Sequence, residues 1–97
     1  MTVSVKFLGG LGRLAGRREA SVAVDADATV ADLLAALGRT YGRAFSDAVF
    51  RAPGELQTYV RVFLNEREAA PTDRVVAVGP AGQVAVLVVP GFEGGSV

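Results

Sequence analysis

One stretch of this chain carries a helical period, and nearly everything around it alternates. Val30, Leu33, Leu34, Leu37 and Tyr41 recur at the spacing that places them on one face of a helix. Thr29-Val30-Ala31-Asp32 supplies the start, a capping hydroxyl followed three residues later by a carboxylate. Gly42 is a natural stop, with Gly38 as an earlier alternative. A single helix of about 13 residues can cover one face of a sheet and no more, so the architecture is constrained to two layers.

The strands to be covered are legible as alternations. Val3, Val5 and Phe7 point one way, and Thr2, Ser4, Lys6 and Leu8 the other. Gly9 to Gly16 reads as a loop, and Arg18 to Val24 alternates again through Ala20, Val22 and Val24, which predicts an N-terminal hairpin. Arg43 to Phe50 offers a short second turn through Phe45 and Val49, and Pro53-Gly54 is a turn signal. Gln57 to Leu64 is the strongest strand, rich in β-branched and aromatic residues, and Asn65-Glu66 turns it. Val75 to Val78 reads as a short strand. Val84 to Val89 is apolar on both faces, which suits a central position with cover on both sides. With one helix available, the second face must be covered by a partner or stay exposed. The order predicts an α+β fold, a ubiquitin-like β-grasp with a mixed four- to five-stranded sheet and one main helix packed on one face. Residues 1–90 are expected to form this domain and residues 91–97 a flexible Gly-rich tail.

Composition narrows function by exclusion. Half of the 97 residues (51%) are apolar, so the chain is no disordered tail. Ten Lys and Arg balance ten Asp and Glu, so no global field favours nucleic acid or an anionic membrane. Cys and His are absent, which removes disulfides, zinc sites built on those residues, thiol nucleophiles and the usual imidazole base. A stand-alone enzyme therefore ranks last, and no bound cofactor or metal is expected. The apolar run Val84 to Val89 is far short of the roughly 20 residues of a membrane span. No secretory pattern opens the chain, so the expected compartment is the cytoplasm.

After Pro90 the pattern stops at Gly91-Phe92-Glu93-Gly94-Gly95-Ser96-Val97. Seven extended residues reach at most about 25 Å. A Gly-Gly segment has no Cβ and can thread a narrow channel, carrying a carboxylate to a partner's nucleotide. The β-grasp order, the helix start Thr29-Val30-Ala31-Asp32-Leu33-Leu34, the strand Val60-Arg61-Val62-Phe63-Leu64-Asn65 and the closing Val84-to-Pro90 strand ahead of Gly94-Gly95 resemble the MoaD/ThiS family of ubiquitin-like sulfur carriers. Pro53-Gly54-Glu55-Leu56 is most similar to the carriers associated with cysteine synthesis, the CysO-like members. The resemblance implies that a ubiquitin-activating-like adenylyltransferase uses ATP to adenylate a terminal glycine carboxylate, which then becomes a thiocarboxylate. A sulfur-accepting synthase in cysteine, molybdopterin, thiamine or specialised-metabolite synthesis would consume it, thiamine being disfavoured because those carriers are shorter. Family members usually end at Gly-Gly, whereas this chain continues with Ser96 and Val97. The resemblance implies removal of these two residues by a JAMM-type metallopeptidase, leaving Gly95 as acyl donor. A second departure, Gly82-Gln83 where Gly-Asp is common, reads as a turn variant.

Tyr59, Arg61 and Phe63 share one strand face, with Phe7 and the final strand expected nearby. In the family, the sheet face opposite the helix docks on partner enzymes together with the tail. These three residues and Phe92 are therefore candidate interface positions. Arg13, Arg17 and Arg18 form a basic cluster, read as a solvated turn or as an electrostatic contact for an acidic partner. Asp25, Asp27 and Asp32 suit the helix N-terminus. Glu66 and Glu68 read as solvated. Gly10-Leu11-Gly12-Arg13-Leu14-Ala15 matches a dinucleotide-binding fingerprint, but the strand predicted from Arg17 and the early Asp25 break its context. Two rival readings stand beside the carrier: an unprocessed protein-binding module, and a single-attachment protein modifier. Lys6 is the sole lysine, which disfavours chain-building on itself.

Overall fold

The capping box forms as its residues require. Asp32 N–H donates to Thr29 Oγ1 at 3.2 Å, and Thr29 N–H donates to Asp32 Oδ2 at 3.0 Å. Two otherwise orphaned donors at the helix start are thereby satisfied. From this cap the main helix, Val30–Tyr41, runs to Gly42, whose φ of 103° lies where a side chain would be strained. Val30, Leu33, Leu34 and Leu37 are buried along its inner face.

The computed structural model describes residues 2–79 and 82–88. In chain order these form β1 (Thr2–Leu8), α1 (Leu11–Ala15), β2 (Glu19–Ala23), α2 (Val30–Tyr41), α3 (Arg43–Val49), β3 (Phe50–Ala52), β4 (Glu55–Leu56), β5 (Val60–Leu64), β6 (Arg67–Glu68), a 3₁₀ turn (Val75–Val78) and β7 (Gln83–Val88). Five strands make one sheet in the order β2-β1-β7-β5-β6, and β3 with β4 forms a separate small hairpin across Pro53-Gly54. The central pair, β1 and β7, is parallel, and the other pairings are antiparallel. This is the β-grasp predicted from the element order.

Alternation sends Val3, Val5 and Phe7, Val84 and Val86, and Val60, Val62 and Leu64 into one core beneath the helices. Phe7 meets Tyr41 and Phe45 edge-on, with ring centroids 5.8 Å away in each case. Such pairs add to the burial of the rings themselves. Among the described residues no polar or charged side chain is buried in the core. At Gly38 a Cβ would lie 3.2 Å from the Ser46 side chain, so a larger residue would press α2 away from α3.

Four local expectations are corrected. The segment Gly9 to Gly16 is not an open loop: it contains the helical turn α1, held because Leu11 is fully buried and Gly16 closes the turn with a φ of 74°. Val75 to Val78 is a 3₁₀ turn, not a strand, and buries Val75 and Val78 at the three-residue period of that helix. The strand expected from Gln57 begins at Val60; the Gln57 side chain instead bonds the carbonyls of Asp47 and Phe50, at 3.3 and 3.2 Å. The offered turn after Gly42 is a full helix, α3. Gly82 has a larger role than a turn variant, since a Cβ there would overlap the Val78 carbonyl. Asn65, at φ 60°, ties the same corner. Its Oδ1 accepts from Gln83 N–H at 3.0 Å, and its Nδ2 donates to the Val78 carbonyl at 3.3 Å.

Candidate functional site

The residues between the core positions of β1, β7 and β5 form a second face. Register brings Leu8 beside Leu87, Leu87 beside Arg61, and Ala85 beside Phe63. Side chains directly opposite on paired strands sit about 5 Å apart, so these residues make a continuous stripe. Ala85, Leu87 and Phe63 are half-buried and Leu8 is 37% exposed. None of them belongs to the core cluster or packs against it. Among the described residues this stripe has no helix over it.

Arg61 frames the stripe. Its guanidinium donates to the carbonyls of Thr58 and Val60 at 2.9 and 3.3 Å. Its Nε lies 3.4 Å from Glu68 Oε2 on the adjacent strand. The side chain is thereby held against the sheet, with its charge beside apolar neighbours.

Position within the sheet matters as much as chemistry. β7 runs parallel to β1, so the C-terminal ends of both strands lie at one edge, where Leu8 leads into Gly9. β5 begins there too, with Val60 opposite Val88. The chain thus leaves the described sheet beside Leu8, Leu87 and the start of β5. Phe92, Gly94, Gly95, Ser96 and Val97, with the whole segment 91–97 expected to be a tail, lie outside the described residues.

The sequence-based interface is partly assembled. Arg61 and Phe63 share the open face. Tyr59 does not join them: it sits in the turn before β5, half-buried and packed against the core, because alternation starts only at Val60. Phe7 is on the opposite face, with 4% of its surface exposed. Leu8, Ala85 and Leu87 complete this face, and no motif in the sequence marks them. The signals for them were the opposite parity of Leu8 to Val3, Val5 and Phe7, and the two-faced apolarity of the last strand.

Another cleft lies away from this face. An open groove of about 740 Å³ runs along the outer side of α2 and α3. Two of its arginines are already paired, Arg43 with Asp47 at 3.5 Å and Arg51 with Glu55 at 2.7 Å. Among the described residues no three acidic side chains converge as metal ligands would. No described helix is long and apolar enough to cross a membrane. The dinucleotide fingerprint fails structurally as well, because β1 and β2 are antiparallel neighbours and α1 is no crossover helix.

No family model matches the sequence, and no curated protein matches it. Solved structures do. The chain is similar to small archaeal modifier protein 1 (SAMP1) from Haloferax volcanii, at 30% identity over 92% of this chain and 96% of that one, with a TM-score of 0.78. It is similar to a putative molybdopterin converting factor subunit 1 from Pyrococcus furiosus, at 21% identity over 91% and 97% of the two chains, TM-score 0.71. It is similar to CysO from Mycobacterium tuberculosis, an antigen, at 18% identity over 90% and 98%, TM-score 0.64. The two lower identities speak to the fold alone.

Proposed function

Because the chain belongs to the MoaD/ThiS-like family of ubiquitin-like sulfur carriers, we propose that it is a cytoplasmic protein cosubstrate whose Gly95 carboxyl, freed by removal of Ser96 and Val97, carries sulfur to an acceptor synthase. The observation that carries this reading is the union of an uncovered apolar stripe with the point where the chain leaves β7 toward Gly94-Gly95. A partner seated on Leu8, Leu87 and Phe63 would hold the start of the tail. Gly95 lies seven positions beyond Val88, a reach of at most about 25 Å.

The chemistry belongs to the chain end and to the partners. A JAMM-type metallopeptidase hydrolyses the Gly95–Ser96 bond. The Gly95 carboxylate then attacks the α-phosphorus of ATP on the adenylyltransferase and pyrophosphate leaves. A sulfide-level nucleophile attacks the acyl carbon of the mixed anhydride and AMP leaves, giving the thiocarboxylate. ATP is bound by the partner, and this chain supplies the acyl group. Glycine at both final positions keeps the approach to the nucleotide free of side chains.

Intact mass measurement of protein from its native host tests the proposal. The expected species lacks Ser96 and Val97, and a fraction of it carries sulfur in place of one oxygen. Gly95→Ala is expected to lower thiocarboxylate formation by at least tenfold. Persistence of the full-length chain alone, together with undiminished sulfur transfer by that variant, would refute it.

The likeness to a protein named as a modifier favours a second reading, single attachment to target lysines. A Gly94-Gly95 remnant on lysines of digested host proteins would distinguish it. An unprocessed binding module would instead keep its partner after deletion of residues 91–97.

A further inference from the structure

The charges of this chain cancel in sum but not in place. Lys6, Arg13, Arg17 and Arg18 are all exposed, and they line one open cleft with Leu8, at the sheet edge where β1 ends and the chain leaves β7. Register sets Glu19 across from Lys6, yet the ion pairs among the described residues are Arg43–Asp47, Arg51–Glu55 and Arg61–Glu68. None of the four cations is neutralised by an ion pair there. The acids Asp25 and Asp27 follow β2 at the other end of the sheet, where Ala23 opposes Thr2. Asp32 and Asp73 are occupied with backbone N–H groups of Thr29 and Ala70.

Two further observations separate this cluster from an ordinary solvated turn. The large hydrophobic side chains exposed among the described residues are Leu8 and Leu14, and both lie in or beside it. Its backbone is also fixed: Leu11 is buried, Arg17 N–H donates to Gly12 O at 3.1 Å, and Phe7 N–H donates to Arg18 O at 2.8 Å. Four cations are therefore gathered on and beside a preorganised turn against one acid, Glu19, with no ion pair formed, next to apolar side chains.

We propose that this basic collar, with Leu8 and Leu14, docks on an acidic surface of the protein that receives the tail, and that it sets the speed and orientation of that encounter. The inference rests on the carrier reading above. It commits to an acidic protein surface and not to a phosphate backbone: the cations sit around one short turn with leucines among them, and the whole chain is electrically neutral.

The test measures association of the full-length chain with the host adenylyltransferase as salt is varied. Arg13→Glu/Arg17→Glu/Arg18→Glu is expected to slow association about 10- to 100-fold at low salt. The gap is expected to narrow as ionic strength rises through roughly 0.1 to 0.5 M. Arg13→Gln/Arg17→Gln/Arg18→Gln should fall between. Both variants should keep the wild-type thermal midpoint, since none of these side chains makes a hydrogen bond or ion pair among the described residues. An unchanged rate, a salt dependence equal to wild type, or binding of a 20-base-pair duplex as tight as that of the enzyme overturns the proposal. At saturating enzyme, chains ending at Gly95 should reach the same thiocarboxylate yield with or without the arginines. Its absence from the wild-type chain would overturn the carrier reading instead.

Discussion

The two faces of the central three strands both carry apolar side chains, but only one of them is a core. On the helix side, Val3, Val5, Phe7, Val84, Val86, Val60, Val62 and Leu64 are all buried, and each has a counterpart on a helix or neighbouring strand. On the other side, Leu8, Ala85, Leu87 and Phe63 stand among Thr2, Ser4, Lys6, Gln83 and Arg61, exposed or half-buried, and they belong to no core cluster. Folding accounts for the first set. It does not account for the second, because a strand with one wet face is satisfied by polar residues there. Apolar side chains that do not hold the fold together are the kind a docking face uses, which is the basis of the proposed role.

That comparison breaks if the faces respond alike to truncation. Phe7→Ala removes a ring that is 4% exposed and stacked edge-on against Tyr41 and Phe45. A loss of about 3–5 kcal/mol is expected from the cavity alone, a large share of the total stability of a domain this small. Chemical denaturation would measure it. A loss below about 1 kcal/mol would mean that the aromatic cluster is not the centre of the core.

The core face was readable because burial writes a period into the chain. Thr29 and Asp32 announced the helix, and Val30 to Tyr41 announced its inner side. Tertiary burial overrode local preference elsewhere. Leu11 draws a glycine-rich stretch into a helical turn that its own propensities disfavour. Val75 to Val78 is too short to tell a strand from a 3₁₀ turn by pattern. The open face was half legible. Arg61 and Phe63 followed from alternation, whereas Tyr59 was misplaced because a strand boundary has no periodic signature. Gly95 stands apart from both cases: its candidacy rests on what a side-chain-free carboxyl terminus can do chemically, and no packing pattern records that.

A smaller effect probes the corner that joins the faces. Gly82 lies where β7 begins, and a Cβ there would overlap the Val78 carbonyl. Backbone must move to accept Ala, so Gly82→Ala is expected to destabilise by roughly 1–3 kcal/mol. The Asn65 bridge to Val78 and Gln83 should loosen with it, seen as faster amide exchange at Gln83. Retained stability and unchanged exchange would show that the close approach is not required.

The smallest expected change in stability is the most informative for function. Leu8 is 37% exposed, beside Leu87 on the open face and among the cations of the basic collar. Leu8→Ser should alter folding free energy by no more than about 0.5 kcal/mol, as at other surface positions. Its effect on binding should be of another size. A leucine that seats in a partner's apolar pocket is desolvated there, and truncating such an anchor commonly weakens a complex tenfold or more. Calorimetric titration of the adenylyltransferase with wild-type and Leu8→Ser chains separates the two contributions. A tenfold loss of affinity with an unchanged melting midpoint assigns Leu8 to the partner. Equal affinities would return the open face to ordinary surface and leave the tail to bind without it.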